Sequence, residues 1–305
     1  MLKKMRSFLV LVMLFIAVTM SAQVTTATMS GKVTAQDEPI IGATVVAVHE
    51  PSGTRYGTVT NVSGQFNLQG MRTGGPYKVE ISYVGYQTAI YKGINLSLGE
   101  NYVLNVSLKE SSELLDEIVV TASKESNMKS DRAGAVTNLT SAKIASIPTV
   151  SRSMNDIMRL SPQSNTTSNG FAAGGGNYRQ SFVTVDGASF NNAFGIGSNL
   201  PAGGAPISLD ALEQLSVSIT PYDVRQSGFT GAAINAVTKS GTNELTGSAY
   251  TFLTNNNLIG DRVGDGSIEL EKSHQYTYGA TLGGAIVKNK LFFFVNGEYE
   301  DDLTA

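Results

Sequence analysis

The sequence predicts a mainly β chain: an N-terminal β-sandwich, then a mixed α/β domain, then the first strands of an incomplete transmembrane β-barrel. Three observations predict it. Short alternating strands recur between turn signals up to about residue 109, at the roughly 8–12 residue spacing of a sandwich. Amphipathic helical stretches separated by Gly-, Asn- and Ser-rich loops occupy the middle of the chain. The last part holds long segments of period two with one apolar and one polar face. Composition agrees. Charged residues are 15% of the 305, against roughly 25% in ordinary soluble domains. Gly counts 32 and Pro 8, and Cys and Trp are absent. Without Cys there are no disulfides, thiolate nucleophiles or cysteine-held metals. The 2 His cannot build a multi-histidine zinc site, and a net charge of -3 offers nucleic acid no basic footprint.

The chain opens on an export signal. Lys3, Lys4 and Arg6 are followed by the apolar run Phe8 to Met20 and then Ser21-Ala22-Gln23. The run is short for the ~20 residues of a spanning helix, so residues 1–23 read as a signal peptide cleaved after Ala22 or Gln23. An uncleaved N-terminal anchor is the other reading.

Residues 27–109 read as the sandwich. Thr28 to Thr34, Ile41 to Val48, Thr58 to Thr60, Gln65 to Leu68, Tyr77 to Tyr83 and Asn101 to Leu108 are strands, divided by the turns Gln36 to Pro39, Pro51-Ser52-Gly53 and Asn61 to Gly64. Tyr77, Val79, Ile81 and Tyr83 share one face, as do Tyr102, Leu104, Val106 and Leu108. His49 has no ligand-spaced partner and is structural. Residues 110–129 form a polar linker around Asp116-Glu117-Ile118-Val119-Val120-Thr121. Such an isolated β-branched run suits strand addition to a partner's sheet edge, with main-chain bonds giving affinity and the two acids fixing register. It also reads as the first strand of the following domain.

Residues 130–241 mix helix and strand. Thr140 to Ile144 starts a short helix ended near Pro148; Ser153 to Leu160 is an amphipathic helix stopped at Pro162. Gln163 to Gln180 contains Gly174-Gly175-Gly176 but neither phosphate-loop nor dinucleotide spacing, and is expected as a flexible loop. Ser181 to Val185 is a strand followed by an Asp186-Gly187 turn. Ser208 to Glu213 is a capped helical turn, and Gln214 to Thr220 and Gly228 to Lys239 carry strands. Residues 242–305 hold about three barrel strands: Leu245 to Leu253, Gln275 to Ile286, and Leu291 to Glu300 after the short turn Lys288-Asn289-Lys290. A soluble hairpin is the alternative. Closure takes at least about eight strands, so the expectation is a chain cut inside its barrel.

The residues carry two resemblances. Gly31-Lys32-Val33, Pro39 to Val45, Thr58 to Asn61 with Gly64-Gln65-Phe66, and Ser82 to Tyr86 resemble the carboxypeptidase regulatory-like module, whose name implies no peptidase activity. Asp116 to Ala122, Val183-Thr184-Val185-Asp186-Gly187, Ile207 to Val217, and Ala232 to Gly241 resemble the box and plug of TonB-dependent outer-membrane receptors. Pro221 to Arg225 with Gly228 to Gly231 is similar to the Oar-like branch, and the strand signature departs slightly at Val183-Thr184.

This resemblance implies a TonB-box-like segment at Asp116, Glu117, Ile118, Val119, Val120 and Thr121. It implies a plug domain at 130–241 whose loops, with Asn169, Asn177, Tyr178, Asn191 and Asn192, face the substrate. The implied partners are a periplasmic TonB-type energy-transducing complex, outer-membrane lipid, the remainder of the barrel and a surface lipoprotein; nucleic acid is not among them. The sandwich would be periplasmic and the barrel would pass a bulky solute. The competing reading is an exported, non-transporting binding or adhesion protein. No nucleophile–base pair or ligand cluster can be assembled, so no enzyme, cofactor or metal is expected.

Overall fold

The computed structural model describes residues 25–111, 118–121, 136–149, 152–167, 170–191, 200, 207–219, 230–258, 260, 262–263, 266–267 and 272–303. The expected export signal and most of the expected linker lie outside the described residues.

The first sandwich sheet is built on β1 (Ala27–Ala35). β1 pairs antiparallel with Glu38–Pro39 and with β4 (Gln65–Met71), and parallel with two short pieces, Asn101–Val103 and Val106–Ser107. The expected single strand from Asn101 to Leu108 is thus broken. The cause is Gly31. A Cβ there would lie 1.8 Å from the Leu104 carbonyl oxygen, so the crossing chain approaches bare backbone. At the break the Asn105 side chain accepts from Lys32 N–H at 3.0 Å, and Leu104 N–H donates to Ser30 at 2.8 Å.

The second sheet contains β2 (Thr44–His49), β3 (Thr54–Val59), β5 (Gly74–Ser82) and β6 (Ala89–Leu96). They pair antiparallel in the order β6-β5-β2-β3. Both sheets turn an alternating apolar row inward. Met29, Val33, Val45, Phe66, Leu68, Tyr77, Val79, Ile81 and Ile94 form one buried cluster, whose removal from water drives this fold. His49 is buried in it. Its Nδ1 is 2.7 Å from Ser52 Oγ, and its ring lies 5.0 Å from that of Tyr77. Burial and the nearby Arg72 charge lower its pKa to about 4, and burial pushes the Tyr77 phenol up.

The α/β domain has its own core around Met154, Ile157, Met158, Val183, Leu212, Leu215, Val217 and Ile234. Its sheet orders β8 (Val136–Thr140), β10 (Leu212–Ser218), β11 (Ala233–Thr238) and β9 (Phe182–Val185), ending on Ala188–Ser189. Helix α1 (Ser141–Ser146) follows β8, and α2 (Met154–Met158) starts where Ser153 Oγ accepts from Asp156 N–H. Asp186 and Gly187 both have positive φ, 48° and 82°, the geometry of a tight hairpin turn. The Asp186 carboxylate accepts from Thr238 N–H and Oγ1–H at 2.9 and 2.7 Å. The expected flexible loop after Pro162 is ordered instead. Ser164–Thr167 pairs with Gly170–Ala173, and Tyr178–Gln180 forms a 3-10 turn. Phe171 and Ala173 anchor that hairpin in the core.

The last sheet is a three-stranded antiparallel meander. It comprises β12 (Thr246–Asn255), β13 (His274–Val287) and β14 (Leu291–Leu303). Leu253, Tyr278, Leu282, Val295 and Tyr299 are exposed on one face. The opposite face meets the α/β domain, where Thr277 is buried. Among the described residues no helix is long and apolar enough to cross a membrane, which says nothing of crossing by strands.

Candidate functional site: a junction of sandwich, linker strand and plug-like domain

Of the predicted box residues, Ile118–Thr121 form a strand, β7; Asp116 and Glu117 lie outside the described residues. β7 joins a sheet edge of this chain, whereas the sequence suggests addition to a partner's edge. It pairs parallel with β6, in the register Ile118↔Ala89, Val119↔Ile90, Val120↔Tyr91 and Thr121↔Lys92. Pairing stops where Gly93 takes φ +78° and turns the edge.

Beyond Gly93 the same edge meets the α/β domain through Gln214, which is 2% exposed. Its Nε2 donates to Leu96 O at 3.0 Å and its Oε1 accepts from Leu98 N–H at 2.8 Å. A backbone N–H only donates and a carbonyl only accepts, so this pairing fixes the amide's orientation. One side chain therefore does for two buried backbone groups what a neighbouring strand would do. Next to it, burial raises the Glu213 carboxyl, while the Lys239 and Arg72 charges oppose the rise. Arg72 also reaches Gly241 O at 3.5 Å.

The sandwich touches the barrel sheet at its short turn. Asn243 N–H donates to Pro51 O at 2.8 Å, and a Cβ on Gly53 would lie 2.1 Å from Asn289 Oδ1. The α/β domain touches the inner face of the same sheet. Ser208 Oγ lies 2.8 Å from Tyr250 Oη and 3.0 Å from Glu298 Oε2, and Tyr250 Oη donates to Glu298 Oε2 at 2.7 Å. Tyr250 crosses β13 to reach Glu298 because Gly279 has no side chain; a Cβ there would lie 2.1 Å from the ring. Arg152 pairs with Asp210 and stacks 3.9 Å over the Phe252 ring.

The residues expected to face substrate divide. Asn169 and Asn192 lie outside the described residues. Asn177 caps the 3-10 turn, accepting from Arg179 N–H at 3.0 Å, and Arg179 Nε donates to Tyr178 Oη at 3.1 Å. Asn191 accepts from Val183 N–H at 2.6 Å and donates to Ser181 O at 2.8 Å. Both asparagines thus bond neighbouring backbone.

Strand direction places them. β9 and β11 run parallel, and β11 leads toward Gly241 beside the sandwich. Residues 177–181 and 191 therefore sit at the far end of the sheet. Sequence reasoning missed β6 and Gln214. Lys92-Gly93 interrupts the alternation of β6, and a lone Gln inside a strand carries no pattern.

Residues 28–109 match the carboxypeptidase regulatory-like domain, and residues 237–304 match the outer membrane beta barrel domain. The chain is 27% identical over 253 residues to the TonB-dependent transporter Oar of Myxococcus xanthus, covering 77% of this chain and 23% of that protein. It is 34% identical over 99 residues to the TonB-dependent receptor SusC of Bacteroides thetaiotaomicron, covering 32% of this chain and 8% of that protein. The chain thus spans less than a quarter of the length of these curated relatives, and both are transport or receptor proteins rather than enzymes. A regulatory-like sandwich, an α/β domain and the strands of an outer-membrane barrel occur here in one order, and together these likenesses support a TonB-dependent receptor of the outer membrane.

Proposed function

We propose that this chain is the periplasm-facing and pore-closing part of an energy-coupled outer-membrane transporter for a bulky solute. In this reading residues 27–109 are a periplasmic sandwich and 110–129 a linker carrying the TonB-box-like segment. Residues 130–241 are the plug, and 242–305 the first barrel strands. The observation that carries the reading is polarity. The sandwich, β7 and the short turn Lys288–Lys290 share one end of the molecule. The strand ends at Asn255 and His274 and the residues 174–181 and 191 lie at the other. Short turns face the periplasm in such barrels and long loops face outward.

The box-like segment would be pulled by a periplasmic TonB-type complex, and the far loops, with Asn177, Tyr178 and Asn191, would meet the solute. A surface lipoprotein would dock over them. An open sheet in lipid leaves edge groups unpaired at several kcal/mol each, so further barrel strands would complete the wall. The test is binding of the soluble periplasmic domain of a TonB-type transducer to the detergent-solubilised receptor. Deleting Asp116–Ala122 should weaken binding at least tenfold; unchanged binding would refute the box assignment.

A further inference from the structure

We propose that the sandwich is a latch on the rim of the barrel sheet. It holds the α/β domain seated, and the two must leave the rim together before that domain can move along the wall. The need for such movement rests on the pore-closing reading above; the contact at the rim does not.

Three features carry it. First, all three bodies hold the crossing from β11 to β12 within five residues. Lys239 N–H donates to Ala211 O of the α/β domain at 2.7 Å. At Gly241 the crossing meets the barrel sheet so closely that a side chain there would run into Phe293 O and Gly284 O. From the sandwich, Arg72 Nη2 donates to Gly241 O at 3.5 Å, and Pro51 O accepts from Asn243 N–H at 2.8 Å. The α/β domain cannot shift against the wall without turning the backbone between Lys239 and Asn243. The sandwich holds that stretch at both 241 and 243.

Second, the part of the rim that is gripped is itself tied together. Asn243 Nδ2 donates to Asn289 Oδ1, and Asn289 N–H donates to Asn243 Oδ1, both at 2.8 Å. This reciprocal pair joins the chain entering β12 to the turn between β13 and β14. Gly53 of the sandwich packs on Asn289, and only a residue without a side chain fits there.

Third, the two grips differ in kind. On the α/β side the buried Gln214 closes two backbone groups, and Glu213 Oε1 would lie 2.9 Å from a Cβ on Gly74. On the rim side the bonds lie near the surface: Asn289 is exposed, and Asn243 and Pro51 are half-buried. Breaking a buried bond leaves its groups unpaired, whereas water replaces a bond broken at the surface. The rim contact therefore parts first, and the sandwich and the α/β domain travel as one body.

Residues 1–305 contain no Cys, so Gly53→Cys with Asn289→Cys introduces a defined pair. Their Cβ atoms would be 3.4 Å apart, close to the ~3.8 Å of a disulfide. The full-length variant is placed in a planar lipid bilayer and opened by urea on the sandwich side, and conductance is read for the oxidised and reduced forms. At the urea concentration that opens half of the reduced channels, the oxidised form should show at least tenfold fewer open. Equal opening overturns the latch, because the α/β domain would then move with the sandwich still on the rim. A pair that does not cross-link overturns the rim contact. Gly53 takes φ +65°, which an introduced Cys resists, so Arg72→Gln supplies a second measurement. Loss of the Gly241 bond should bring half-opening at lower urea, and an unchanged midpoint overturns the latch. Parent channels that conduct before urea is added overturn the pore-closing reading and the latch's role together, while a formed cross-link still upholds the contact.

Discussion

Gln214→Leu isolates a contact through which the sandwich grips the α/β domain. The side chain is almost fully buried and satisfies Leu98 N–H and Leu96 C=O, both on residues 1% exposed. Leucine keeps most of the volume and removes both bonds. Each buried backbone group left unpaired costs about 1–3 kcal/mol. The two are neighbours and share any relaxation, so about 2–4 kcal/mol is expected for the pair. That corresponds to an opening equilibrium about 30- to 700-fold more favourable. The assay is amide hydrogen exchange of the receptor in detergent, read at Leu98. Its exchange should accelerate within that range, while Val79, in the middle of the sandwich sheet and paired on both sides, keeps its rate. Exchange at Leu98 within threefold of the parent would refute the reasoning, because it would show that the Gln214 bonds do not hold the edge closed.

Other outcomes follow from the same geometry. Gly31→Ala forces a Cβ against the Leu104 carbonyl; it should destabilise the sandwich by about 3 kcal/mol or more, seen as a lowered melting transition. Tyr250→Phe removes the hydroxyl shared with Ser208 and Glu298 and should weaken the packing of the α/β domain on the three-stranded sheet by about 1–2 kcal/mol, measured as an earlier urea midpoint for their separation. His49 is neutral in the fold, with a pKa lowered from 6.5 to about 4. Its contribution is complete above the unfolded value and is lost as pH falls from about 6.5 through about 4. Sandwich melting temperature should decline across that window, and His49→Gln should flatten the decline.

The sandwich faces and the Asp186-Gly187 turn were legible because each is local. Tyr77, Val79 and Ile81 alternate without interruption and are all buried, and an Asp-Gly pair demands positive φ. Tyr83, placed on the same face by the alternation, is instead 37% exposed, because β5 ends at Ser82. The barrel strands were legible in kind but run longer than their patterns, since pairing across β13 carries polar ends such as His274 and Asp301 to Leu303 into the ladder.

What stayed hidden was non-local. The hairpin at Ser164–Ala173 is polar in sequence and is ordered by Phe171 reaching a core assembled elsewhere. β6 loses its period at Gly93, and Gln214 acquires its role only when another domain's edge arrives. The strand-forming character of Ile118–Thr121 could be read from its residues. Its acceptor could not, because the acceptor was a strand the pattern concealed.

The central claim is that the Asp116–Ala122 segment drives transport. The direct test compares cells whose receptor carries or lacks it, reading removal from the medium of solutes too large for open porins by mass spectrometry, with surface labelling to count receptor. The account predicts at least one solute removed by the parent and left by the deletion strain at equal surface abundance. Identical removal by both strains would contradict it.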